Sequence, residues 1–267
     1  MINQLSRYNA APRVGHMELL KRVYEYLHNY STKSIVTEGK DYPDFISNID
    51  AKRQSAPGCM KSNYLDSLFE YLTDGPKERG KPVEVSIFVD SSHGDDKIDR
   101  KSTTGIIIYV GDMLYKIKSK RQKTVATSTF SAEFMALRFA VEEAIAIKYL
   151  LQSLGVKIKG PIKIYSDSQS VLDSSVIPGT ELKRKHVALA FHAVREAFDH
   201  GIVSLYKITT DDNPADMCTK ASQRLKFHKH ANILFNKHQD KQDHNQDHKT
   251  TNKSNKNHKK QKLKNKK

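Results

Sequence analysis

Two short runs rich in β-branched and aromatic residues, Val83 to Val89 and Gly105 to Val110, flank a polar, turn-forming segment and constrain the chain most. Such runs read as neighbouring antiparallel strands, because branched and aromatic side chains fit a pleated, half-buried surface. The first run ends on Asp90. A carboxylate directly after a buried strand has its backbone held by the sheet and its side chain at the rim, which suits a group that must hold a cation. Taken alone, Asp90 is explained as well by a turn aspartate bonding its own backbone.

Three more carboxylates occupy comparable places. Glu133 lies near the start of a long helical pattern, Asp167 follows the run Ile162 to Tyr165, and Asp216 stands at the start of a short terminal helix. Each has an ordinary reading. Glu133 can serve as a dipole partner worth about 0.3 to 1 kcal/mol. Asp167 can cap a helix from Gln169 to Val176, and Asp216 can be the third residue of a helix begun by Asn213 as N-cap and Pro214. Strand ends and helix starts nevertheless gather at one edge of an α/β sheet. Four acids converging there make an oxygen-rich set suited to a hard divalent cation such as Mg²⁺.

The segments FVDSSHG, DRKSTTG, KSKRQ, STFSAEFMAL, YSDSQS, RKHVALAFHAVRE and NPADMCTK follow one another from roughly Val83 to Leu225. That order resembles the ribonuclease H domain of a copia-type LTR retrotransposon Pol polyprotein. The N-terminal stretch LSRYNAAPRVGHMELLKRVYEYL resembles the end of the reverse transcriptase that leads into it. The resemblance implies a ribonuclease H-like α/β fold: a mixed five-stranded sheet, three strands antiparallel and two parallel, flanked by helices. It also implies a metal-dependent endonuclease that cuts the RNA strand of RNA:DNA hybrids in reverse transcription. Asp90, Glu133, Asp167 and Asp216 would then be both catalytic and metal-holding, with Asp90 bridging two Mg²⁺ ions for which Mn²⁺ can substitute. Two departures stand out: Ser168 where the family often has Asn, and a short Thr209 to Ala215 segment without the histidine of cellular and retroviral ribonucleases H.

Four regions are expected. Residues 1–30 form a reverse-transcriptase remnant whose Met17, Leu20, Tyr24 and Leu27 make an amphipathic helix. Residues 31–82 form a connection segment in which only YLDSLFEYL hints at an element. Residues 83–226 form the ribonuclease H-like domain, and 227–267 a basic tail, largely disordered. Within the domain, Gly111-Asp112 signals a tight turn into a third strand, Met113 to Lys118. Ser128 is a plausible N-cap for a helix to about Ser153. Val187, Phe191, Val194 and Phe198 share the face of a later helix, before a fifth strand from Ile202 to Ile208. No Asp-Asp pair flanked by apolar strand residues is present, so the chain is not expected to polymerise.

The formal charge of +15 favours a polyanionic partner, although +8 of it sits in Lys237 to Lys267. Candidate phosphate contacts are Lys120, Arg121 and Lys123 before the long helix, and Lys183, Arg184, Lys185 and His186 before the later one; a solvated basic loop is the plain alternative. Cys59 and Cys218 lie far apart with no metal-type spacing and read as two reduced thiols. No apolar run approaches the roughly 18 residues a membrane helix needs. The expected partners are an RNA:DNA hybrid and the polymerase domain; the expected compartment is the cytoplasm, with the lysine tail a candidate nuclear address. The competing reading is a catalytically silent nucleic-acid-binding remnant or adapted fragment. A transposase or integrase of similar fold is weaker, because such enzymes lack this run of segments.

Overall fold

A computed structural model describes residues 10–29, 37–55, 76–96, 98–177, 188–220 and 224–234, with Leu5 and Ile35. The elements in order are α1 (Val14–Asn29), α2 (Asp44–Ser47), β1 (Lys52–Arg53), β2 (Arg79–Val83), β3 (Val85–Ser92), β4 (Thr103–Val110) and β5 (Met113–Arg121). They continue with α3 (Thr129–Ser153), β6 (Val156–Ile158), β7 (Ile162–Ser166), α4 (Gln169–Val176), α5 (Ala188–Asp199), β8 (Val203–Lys207), α6 (Asp216–Thr219) and α7 (Arg224–Leu234).

The main sheet has the order β1-β8-β7-β3-β4-β5. β3, β4 and β5 form an antiparallel meander, while β7 pairs parallel to β3 and β8 parallel to β7. These are the five strands expected from the sequence, three antiparallel and two parallel, in the mixed α/β arrangement that the resemblance implies. β3 and β4 are buried on both faces, which is why they read as near-continuous apolar runs. At the β4–β5 turn Gly111 has φ +60°, and a Cβ there would meet the Lys40 carbonyl oxygen at 2.9 Å, so the turn requires glycine.

One face of the sheet carries α3, α4 and α5. Ser128 caps α3 by accepting from the Ser131 backbone N–H. Ala132, Ala136, Ala140 and Ala144 recur every fourth residue and are all buried, forming a smooth strip on which the helix lies close to Ile87, Val89 and Ile164. Phe191 and Val194 of α5 complete this core. The opposite face is built from Phe88, Ile107, Tyr109 and Tyr165, and Phe45, Ile46, Ile49 and Ala51 pack over it. Phe45 lies 5.6 Å from the ring centres of both Phe88 and Tyr109.

Several details differ from expectation. The sheet has six strands, because Lys52 and Arg53 of the connection segment pair antiparallel with Lys207 and Tyr206 and cover the β8 edge. β2 and β6 add a separate parallel pair. The partly apolar FHKHANILFN lies largely within α7, whose His230, Ala231 and Leu234 are buried. α1 is present, yet Met17, Tyr24 and Leu27 are exposed, while Tyr26 meets Phe227 of α7 edge-on at 5.6 Å. The terminal helix is shorter than expected: α6 starts at Asp216, and Asn213-Pro214 forms the turn before it. YLDSLFEYL, Val187, Cys59 and the lysine tail lie outside the described residues.

Candidate active site

The strand register puts two of the predicted acids side by side. Phe88 of β3 pairs with Tyr165 of β7 in parallel, and continuing that register by two residues sets Asp90, near the C-terminal end of β3, beside Asp167, the first residue after β7. By the alternation of a strand, Asp90 shares the face of Phe88. α6 reaches that face because Gly105, the cross-strand partner of Asp90, has no side chain. A Cβ there would fall 2.7 Å from the Ala215 carbonyl oxygen and from Cys218 Cβ.

Asn213 fixes the approach to α6. It is fully buried, its Nδ2 donates to the Val89 carbonyl at 2.9 Å and its Oδ1 accepts from Ala215 N–H at 3.1 Å. The strand bearing Asp90 and the turn bearing Asp216 are therefore tied by one amide. Thr219 then closes the link, donating its hydroxyl hydrogen to Asp90 Oδ2. Glu133 arrives from the other side in the first turns of α3. Buried Gln122 steadies that end of the helix, donating to Thr104 Oγ1 at 3.0 Å and to the Ala132 carbonyl at 2.8 Å.

Burial pushes the Asp90 carboxyl up to about 7, with Asp167 and Asp216 adding like-charge repulsion against the Thr219 bond and Lys220. Burial likewise raises Glu133, again reinforced by Asp167 and opposed by a hydrogen bond from Ser168 and by Lys207 and Lys220. The four predicted acids thus belong to one electrostatic neighbourhood. Asp216 is 1% exposed, and its Oδ1 has no hydrogen-bond partner although Lys220 Nζ is 2.5 Å away; that contact is an ion pair without hydrogen-bond geometry. Lys226 Nζ stands 3.1 Å from the other oxygen. Lys207 donates to the Asp167 backbone carbonyl.

A hard divalent cation fits this donor set in chemistry: burial and the charges of Asp167 and Asp216 disfavour the ionised form of Asp90, and the enclosed oxygens of Asp216 already face cationic groups. The set is not closed on a point. Among the described residues no three His, Cys, Asp or Glu side chains are grouped so as to hold a metal ion.

Of the basic residues, Lys120 and Lys123 are exposed at the end of β5 and just beyond it. Arg121 is engaged, its Nη1 lying 2.9 Å from Asp96 and 2.6 Å from Asp99. Lys183, Arg184, Lys185 and His186 lie outside the described residues. Cys218 is a free thiol pushed up to about 12, first by burial and then by Asp90, so it is no thiolate nucleophile at neutral pH. Sequence reasoning missed Lys207, Lys220, Lys226, Thr219 and Gln122. The Asp216–Lys220 pair had a signal in its i, i+4 spacing; the others had none.

No family model matches the chain. Among curated proteins it is 37% identical over 140 residues to the retrovirus-related Pol polyprotein from transposon TNT 1-94 of Nicotiana tabacum, a match covering 52% of this chain and 10% of that protein. It is 28% identical over 175 residues to the corresponding polyprotein from transposon RE1 of Arabidopsis thaliana, covering 64% of this chain and 12% of that one. Over these residues the chain is similar to one part of transposon Pol polyproteins. The chain spans about a tenth of the length of the curated proteins it matches. Among solved structures it overlays LC11 ribonuclease H1, crystallised with an RNA/DNA hybrid, at 15% identity and TM-score 0.40, covering 51% of this chain and 94% of that one. It overlays ribonuclease H1 of Halobacterium salinarum at 15% identity and TM-score 0.39, with the same coverages. Overlays this loose add nothing to the strand order already described. Among the described residues no helix is long and apolar enough to cross a membrane.

Proposed function

We propose that this domain is a divalent-metal-dependent endonuclease that cuts the RNA strand of an RNA:DNA hybrid during the reverse transcription of a copia-type transposon. The observation that carries the reading is the parallel pairing of β3 and β7, which sets Asp90 near the end of one strand and Asp167 just after the other, with Asp216 and Glu133 brought to them from opposite faces of the sheet. When bound, a pair of Mg²⁺ or Mn²⁺ ions supplies the positive charge that activates a water and stabilises the leaving oxygen at phosphorus.

The chain's own part is to hold carboxylate charge in a place where it is costly without a cation. Asp90 is kept neutral up to about pH 7 by burial, so its proton leaves when positive charge arrives. Thr219 and Asn213 tie the strand bearing Asp90 to the turn and helix bearing Asp216, and Gln122 steadies the helix end bearing Glu133. Lys120 and Lys123 are exposed where they can meet backbone phosphates. The RNA strand would be told from DNA by contacts to its 2′-hydroxyl groups. The partners in this reading are the hybrid and the polymerase domain of the polyprotein, in the cytoplasm.

The test is cleavage of end-labelled RNA annealed to DNA, with Mg²⁺ and with chelator, by the wild type and by Asp90→Asn and Glu133→Gln variants. Cleavage that needs metal and is lost in both variants supports the reading. The open acid set favours a second one, a module that binds hybrid without cutting it. Binding without cleavage in Mg²⁺ or Mn²⁺, unchanged when the polymerase domain is supplied in trans, would establish that instead.

A further inference from the structure

Asp216 is the most enclosed of the four acids, yet both of its oxygens face ammonium groups, Lys220 at 2.5 Å and Lys226 at 3.1 Å. The two lysines are held differently. Lys226 is the more covered and also pairs with Asp211 at 3.3 Å, so it is anchored from outside the site. Lys220 is half-exposed, at 50% of its side chain, and projects from the C-cap of α6. It can leave Asp216 for solvent without disturbing the core.

Lys220 is also central. It follows Thr219, the residue that bonds Asp90, so one turn of chain contacts two of the acids. Its charge acts on Asp90 and Glu133, and those of Asp216, Asp90 and Asp167 act on it, so all four acids share it. A single cation felt by four carboxylates does the electrostatic work of a metal ion in holding them together.

We infer that Lys220 is a built-in counter-cation of the acid site: its ammonium holds the carboxylates together when no divalent ion is present, and it must leave Asp216 before such an ion can bind. Lys220 therefore sets the affinity of the site for the ion, as a positioning residue rather than a catalytic one. The inference rests on the proposed reading of the four acids as metal ligands. It also accounts for an acid set that is gathered but not closed: an ammonium cannot draw several oxygens onto one point as a small divalent ion does.

The experiment titrates Mn²⁺ into the full chain and reads free Mn²⁺ by its electron paramagnetic resonance signal, alongside the thermal midpoint with and without the ion. The proteins are the wild type, Lys220→Met, Lys220→Arg and Asp90→Asn. Removing one competing positive charge should tighten Mn²⁺ binding roughly tenfold in Lys220→Met. The same variant should melt at a lower temperature than wild type without metal and gain more on adding it, whereas Lys220→Arg should stay near wild type in both. Equal or weaker Mn²⁺ binding by Lys220→Met overturns the role of Lys220 while leaving the acid site standing, provided Asp90→Asn weakens binding. Wild-type binding that Asp90→Asn does not weaken removes the metal reading itself, and the inference falls with it.

Discussion

Gly105 and Thr219 meet where β4 runs under α6: a methyl group on Gly105 would lie 2.8 Å from Thr219 Cγ2. Gly105→Ala should push α6 off the sheet, breaking the Thr219 bond to Asp90 and shifting Asp216 together with it. The expected cost is about 1 to 3 kcal/mol in urea unfolding, as for other overpacked sites. Cleavage should fall by about a hundredfold, the usual effect of an error of about 1 Å in a reacting geometry. Wild-type stability in this variant would mean that α6 does not lie so close to the strand.

The second prediction concerns pH. The folded pKa of Asp90, about 7, exceeds the roughly 3.9 of an unfolded aspartate, so between those values the native state binds more protons than the unfolded one. Its stabilising contribution is therefore fully present below about pH 4 and lost as pH rises through about 7. Glu133, also raised, acts in the same direction. Metal-free protein should be more stable at pH 5.5 than at pH 8, by on the order of 2 kcal/mol. Asp90→Asn should remove most of the difference. Urea denaturation at the two pH values decides it, and a wild-type stability that rises with pH would contradict the burial of Asp90.

Gln122 offers a test of the helix end. Its side-chain amide donates to Thr104 and to the Ala132 carbonyl, and its own Oε1 is buried without a partner. Gln122→Leu should cost about 1 to 3 kcal/mol, because two buried acceptors lose their donor. It should lower cleavage as well, since Glu133 follows the carbonyl that is released. Thermal unfolding and the cleavage assay together check both halves. A loss of stability at full activity would show that Glu133 is positioned by something else.

The basic residues near the end of β5 should divide by function. Lys120→Ala and Lys123→Ala should each weaken hybrid binding and reduce the slope of log affinity against log salt by about 1 if they meet phosphates. Arg121→Ala should leave that slope unchanged, because its guanidinium is already paired with Asp96 and Asp99. It should instead speed amide hydrogen exchange at Asp96 and Asp99, the residues those pairs hold. Fluorescence anisotropy across a salt series separates the three variants.

The strands and the acids at their ends were legible because both rest on local pattern. β3 and β4 announce themselves by β-branched runs, and the ends of such runs locate Asp90 and Asp167 directly. The cover on the second sheet face was not legible. Phe45, Ile46 and Ile49 sit in a segment with Pro43, Asp44 and Asp50, whose local preferences point to no long element, and only the exposed apolar face of β3 and β4 gives them a place. β1 is two exposed residues made a strand solely by the β8 edge. Asn213 was half legible: its oxygen caps the turn as a local reading expects, while its nitrogen bonds a carbonyl 124 residues away. The lysines were hardest, since a long flexible side chain ends where the tertiary charge field puts it.

The bond from Thr219 to Asp90 joins positions 129 residues apart. Bringing such distant positions together is entropically expensive and late, so the sheet can pair before this clasp closes. A growing chain that has made β3 through β8 already owns the nearly finished scaffold but lacks both Asp216 and the hydroxyl that aims Asp90. On the proposed reading the acid set is therefore complete only after the sheet has formed, and a chain ending at Pro214 would keep the strand order while losing the fourth acid and the hydroxyl that holds the first.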